Sequence, residues 1–72
     1  MKHYKTSFKG EKPIDQIHAA VGRDGSLVTR VHVEGGETHV YFAGQGGGKH
    51  LREALGAGDV SEVREEDVKK VG

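Results

Sequence analysis

Between Thr29 and Phe42 every second residue is Thr, Val or Phe, the residues between them are Arg, His, Glu or Tyr, and a doubled glycine interrupts the pattern midway. Adjacent glycines accept the positive φ angles of a two-residue hairpin turn. Gly35 and Gly36 are therefore expected to fold the chain back, setting Glu34 against Glu37, Val33 against Thr38, His32 against His39, Val31 against Val40 and Arg30 against Tyr41. Because side chains alternate across a strand, Thr29, Val31, Val33, Thr38, Val40 and Phe42 share an apolar face. Arg30, His32, Glu34, Glu37, His39 and Tyr41 share a polar one. A slip of one residue in either strand would mix the two sets, so the pattern selects this register.

Upstream, HYKTSF at residues 3–8 puts Tyr4, Thr6 and Phe8 on one side and His3, Lys5 and Ser7 on the other, which predicts a half-buried strand. Residues 14–22, IDQIHAAVG, admit two readings. Ile14, Ile17, His18 and Val21 have helical spacing, with Pro13 suited to a first turn and Gly22 to a cap. Alternatively, Ile17, Ala19 and Val21 alternate, and GRDGS makes a three-residue hairpin loop with Gly25 in the left-handed bulge position. In that second register Val21 faces Leu27, Ala19 faces Thr29 and Ile17 faces Val31. Turn chemistry and pattern agree there, and the expectation is a strand, with the helix as the competing reading.

Downstream, KHLREALGA at residues 49–57 predicts a short helix with Leu51, Ala54 and Leu55 as its apolar stripe. Asp59 and Glu62 resemble a capping box, and Val60/Val63 and Val68/Val71 lie at i, i+3 spacing, so a second helix is expected over 59–71. The competing reading is a short strand at 60–64 before a helical turn, since valine favours strands. The expected fold is α+β, a three- to four-stranded antiparallel β-meander with one or two carboxy-terminal helices packed on one face. Residues 1–72 are expected to form a single small α+β domain.

Size sharpens this picture, because a chain of 72 residues without cysteine must hold its core with neither disulfides nor a cysteine-zinc site. Pairing with a second copy is one way to add buried area, so monomer and homodimer both stay open. The formal net charge is zero, which favours a protein partner over non-specific nucleic-acid binding, a process driven by excess Lys and Arg. No apolar leader follows Met1 and no apolar run is long enough to span a bilayer. The expectation is a soluble cytoplasmic protein without membrane attachment.

Three groups of residues could carry chemistry. Arg30, His32, His39 and Tyr41 form a basic and aromatic strip on the polar hairpin face, able to contact a partner's side chains or stack a base. The two histidines could also share a metal, but no sequence spacing brings a third ligand to them, and no metal site is assigned. The stretch Gly46, Gly47, Gly48, Lys49, His50 and Arg52 resembles a phosphate-binding loop: a glycine run entering a helix offers backbone N–H groups, and Lys49 offers a charge. His50 stands where a P-loop has its magnesium-holding Ser or Thr, and so short a chain has no room for the parallel sheet of a nucleotide hydrolase, so an NTPase is excluded. A phosphate or nucleic-acid contact remains as a candidate, supported by Lys2, Lys5, Lys9 and Lys12. Ser7, Ser26 and Ser61 sit in strand-end, turn and helix-start contexts with no base beside them, so neither catalytic nor cofactor-binding residues are assigned. The expected function is a small non-enzymatic interaction or regulatory protein docking on a larger macromolecule, a protein, through its open sheet face or edge. Nucleic-acid binding is the alternative.

Overall fold

A computed structural model describes residues 2–44 and 49–69. In chain order it contains β1 (Lys2–Lys9), α1 (Ile14–Arg23), β2 (Leu27–Glu34), β3 (Glu37–Gly44), α2 (Lys49–Leu55), β4 (Ser61–Val63) and α3 (Glu65–Lys69). The strands form one four-stranded antiparallel sheet in the order β2-β3-β1-β4. The α+β class is as expected. The strand order and the identity of the fourth strand differ from a simple meander, because α1 carries the chain from β1 across to the far edge of the sheet.

The central hairpin has the expected register, from Arg30 opposite Tyr41 to Glu34 opposite Glu37. Gly35 and Gly36 have φ of 59° and 79°, the two successive positive values that a type I′ turn needs. The pattern fails only where β2 bulges between Val28 and Arg30. The extra residue reverses the parity of everything before it. Val28, not Thr29, consequently lies against the core, while Thr29 is exposed and Leu27, expected to be covered, is 69% exposed.

Residues 14–23 are helical, which overturns the strand expected over 14–22. The buried positions are Ile17, Ala20 and Val21, spaced i, i+3, i+4, and Ala19 points to solvent. Gly25 is left-handed as expected, with φ 75°, but as the residue that ends a helix. Its N–H donates to the Gly22 carbonyl at 3.0 Å and the Ser26 N–H donates to the Val21 carbonyl at 3.2 Å, the paired bonds of a Schellman motif. A left-handed glycine serves a bulged hairpin loop and a helix terminus equally well. The tail also follows its competing reading. β4 adds to the free edge of β1 through His3–Val63 and Lys5–Ser61 pairs, and among the described residues of the tail Glu65–Lys69 is the helical part, its first turn carrying three acids at the end where the helix dipole favours them.

Both longer helices lie on the same side of the sheet. Ile17, Ala20 and Val21 from α1 and Leu51 and Leu55 from α2 form one cluster with Phe8, Val40 and Phe42. Ala54, expected in the α2 stripe, is exposed. Tyr4 stacks on Phe42 with ring centroids 5.5 Å apart. Thr6 and Thr38 are buried in the same layer, and each hydroxyl has a backbone carbonyl to donate to, Thr38 to Gly10 at 2.6 Å and Thr6 to Gly58 at 3.1 Å. Among the described residues no helix is long and apolar enough to cross a membrane.

At the end of β3, Gly44 lies directly against Ser26, where an added Cβ would come within 2.8 Å of the Ser26 Cα. Backbone cannot yield as a flexible side chain can. Gly44→Ala is expected to lower unfolding stability by about 1–3 kcal/mol, as overpacking does elsewhere, read as a fall in the urea midpoint. Gly35→Asn, placed where type I′ turns accept asparagine, should leave that midpoint nearly unchanged.

Candidate functional site

The sheet face turned away from α1 and α2 carries the strip expected from the hairpin, and β1 and β4 extend it. Partners in an antiparallel ladder share a face, so the registers define successive rows across the sheet. One row is Leu27, Ala43, His3 and Val63; the next is Arg30, Tyr41, Lys5 and Ser61. His32, His39 and Ser7 follow, and Glu34, Glu37 and Lys9 complete the face at the turn. The face grades from apolar through cationic and imidazole-rich to mixed charge.

His32 and His39 face one another with ring centroids 6.3 Å apart and planes 31° apart. Both are half-buried, and His32 Nε2 lies 3.2 Å from a Glu34 carboxylate oxygen. Arg30 is exposed. Tyr41, expected to offer its ring to a partner, is only 7% exposed, and the Lys5 ammonium stands 5.6 Å from its ring centroid. The ring forms the floor of the strip, with a cation above it. The Nδ1 atoms of His3 and His39 are enclosed without a hydrogen-bond partner among the described residues. Contact with either imidazole therefore has to come through its Nε2 edge. Among the described residues no three His, Asp or Glu side chains converge as metal ligands.

Lys5 and His3 were absent from the sequence-derived strip. They reach it because β1 pairs with β3, and strand partnership between segments more than thirty residues apart leaves no local mark in a sequence.

Of the candidate phosphate loop, Gly46, Gly47 and Gly48 lie outside the described residues. Lys49 opens α2 and is exposed, and Arg52 lies 3.7 Å from Asp59. His50 is engaged by Asp24, the residue that ends α1. One Asp24 carboxylate oxygen accepts the His50 backbone N–H at 3.0 Å, and the other lies 2.6 Å from His50 Nδ1. The carboxylate is 9% exposed. A carboxylate thus caps the start of α2 from another element, supplying the anion that a helix amino terminus attracts, and it holds the imidazole by its Nδ1 side.

This contact had a faint sequence signal. A helix carboxy terminus is the unfavourable end for an acid, so an aspartate beside the left-handed Gly25 needs a donor from elsewhere. In the hairpin reading of 14–26 the same aspartate is an ordinary turn residue.

No protein-family model, curated protein or solved structure matches the chain. The candidate site accordingly rests on its own geometry.

Asp24→Ala is expected to cost about 1–3 kcal/mol, the range for a lost helix cap together with a charge-assisted hydrogen bond. In a double-mutant cycle with His50→Ala, unfolding in urea should show the two losses to be less than additive, since both remove the same imidazole-carboxylate contact.

Proposed function

We propose that this chain is a small non-enzymatic interaction protein, regulatory in character, that docks on another protein through the sheet face opposite α1 and α2, with Arg30, His32, His39 and Lys5 as the contacting side chains over the Tyr41 floor. The observation that carries this reading is the composition of the face opposite α1 and α2. α1 and α2 both cover one side of the sheet, leaving on the other two adjacent rows of cationic and imidazole groups around a closely packed aromatic ring. Half-buried rings and a cation held over an aromatic face lose little side-chain freedom on contact, which favours binding. The local excess of Arg30, Lys5 and the histidines suits a partner surface carrying carboxylates, and the apolar row at Leu27 and Val63 suits aliphatic contacts beside them.

Nucleic-acid binding at Lys49, His50 and Arg52 is the weaker reading. The chain has no excess positive charge, Asp24 places a carboxylate where a phosphate would approach α2, and Arg52 already has Asp59 near it. A preference for protein over nucleic acid follows from these charges.

Capture from the native cell extract with and without nuclease discriminates the two. A single protein partner is expected to survive nuclease and to be lost on Lys5→Glu or His39→Ala, with the thermal midpoints of both variants near that of the parent. Loss of all binding after nuclease, or binding abolished by Lys49→Ala and by moderate salt, would replace this reading with the nucleic-acid one.

A further inference from the structure

The two edges of the sheet are unlike each other. β4 is three residues long, a short edge of the kind that discourages further pairing. β2 is eight residues long, LVTRVHVE, with neither lysine nor proline, and carries two exposed large apolar side chains, Leu27 and Val33. Its charges are one arginine and one glutamate. We propose that two copies of this chain pair antiparallel through β2, about a two-fold axis passing beside His32, to form one continuous sheet.

The register follows from the strand itself. The bulge at Thr29 ends regular pairing on one side and the Gly35–Gly36 turn ends it on the other, leaving Arg30–Glu34 as the regular segment with His32 at its midpoint. A two-residue turn makes Glu34–Glu37 a hydrogen-bonded pair, and such pairs alternate along an antiparallel ladder. His32–His39 and Arg30–Tyr41 are then hydrogen-bonded too, and the N–H and C=O groups of Val31 and Val33 point away from β3. With the axis at His32, Val31 meets Val33 of the partner subunit and the reciprocal pair forms by symmetry, so these outward groups satisfy one another.

Side-chain chemistry selects the same register. Arg30 lies opposite Glu34 of the partner subunit on the open face, and its symmetry mate adds a second pair of opposite charges. On the helix face, Val31 lies beside Val33 of the partner subunit and covers an otherwise exposed valine. The axis at His32 sets the two His32 rings opposite each other; moving it to Val31 or to Val33 gives up both Arg30–Glu34 pairs by setting Arg30 or Glu34 opposite a histidine instead, and moving it to Arg30 sets the two arginines against each other. Charges that would repel many other edge strands are complementary to this one. The contact is isologous and closes at two copies, and the axis perpendicular to the sheet keeps both helix layers on one side and joins the two open faces into one surface.

Sedimentation velocity of the full chain over a wide concentration range tests the proposal. The parent chain is expected to shift from monomer to dimer with concentration, and Val31 and Val33 amides to gain hydrogen-exchange protection in step. Arg30→Glu alone should weaken association by about tenfold or more, and Glu34→Arg alone likewise, because each turns two attractive pairs into like-charge pairs. The double variant Arg30→Glu/Glu34→Arg restores both pairs with reversed sign and should return association to within about threefold of the parent. Val33→Lys, an edge charge with no complement, should leave a folded monomer, its fold checked by circular dichroism. A parent chain that stays monomeric throughout, a dimer insensitive to Val33→Lys, or a double variant as weak as either single one would each overturn the proposal.

Discussion

β3 has a hydrogen-bonded strand on each side, and that double pairing positions nearly everything else. β2 is fixed to it by the turn, β1 by the long ladder from Lys2–Gly44 to Lys9–Glu37, and β4 only through β1. Val40 and Phe42 are fully buried on its helix side, and Tyr41 and Ala43 are nearly so on the other. A strand buried on both faces and bonded along both edges cannot slide without disturbing every layer at once. The apolar material of this small chain is concentrated accordingly, with α1 and α2 closing over the strand that has the most neighbours.

What could be read in advance was local. The hairpin register followed from a doubled glycine and a period of two, because both signals act within sixteen residues and agree. Residues 14–22 failed because they carry few apolar side chains, and Ile17 and Val21 satisfy a strand and a helix alike. Only Ala20 against Ala19 separates the two, and alanine is too small to make that contrast visible. Gly25 gave a correct backbone conformation and a wrong context. The Thr29 bulge had no marker either, since neither glycine nor proline accompanies it.

The candidate site divides in the same way. The opposition of His32 to His39 and of Arg30 to Tyr41 was legible because it belongs to one hairpin. The burial of Tyr41 was not, since it depends on β1 bringing Lys5 alongside, and a strand's partner is set by global packing. The Asp24–His50 contact joins the end of one helix to the beginning of another, 26 residues apart. It gives α2, too short to persist in isolation, a fixed starting point against α1. The same carboxylate makes the start of α2 a less inviting place for an anion than the sequence before it suggests.

The strand order bears on how the chain reaches this state. β1 precedes every other element yet lies inside the sheet, so it remains without a neighbour until β3 has been made and gains its second only when residues 61–63 arrive. The hairpin of β2 and β3 can close on its own on a timescale of about microseconds, whereas β1 must close on β3 across a much longer separation, from Lys9–Glu37 to Lys2–Gly44. Tyr4 and Phe8 therefore gain their sheet neighbours, Phe42 and Thr38, only once the hairpin has supplied them.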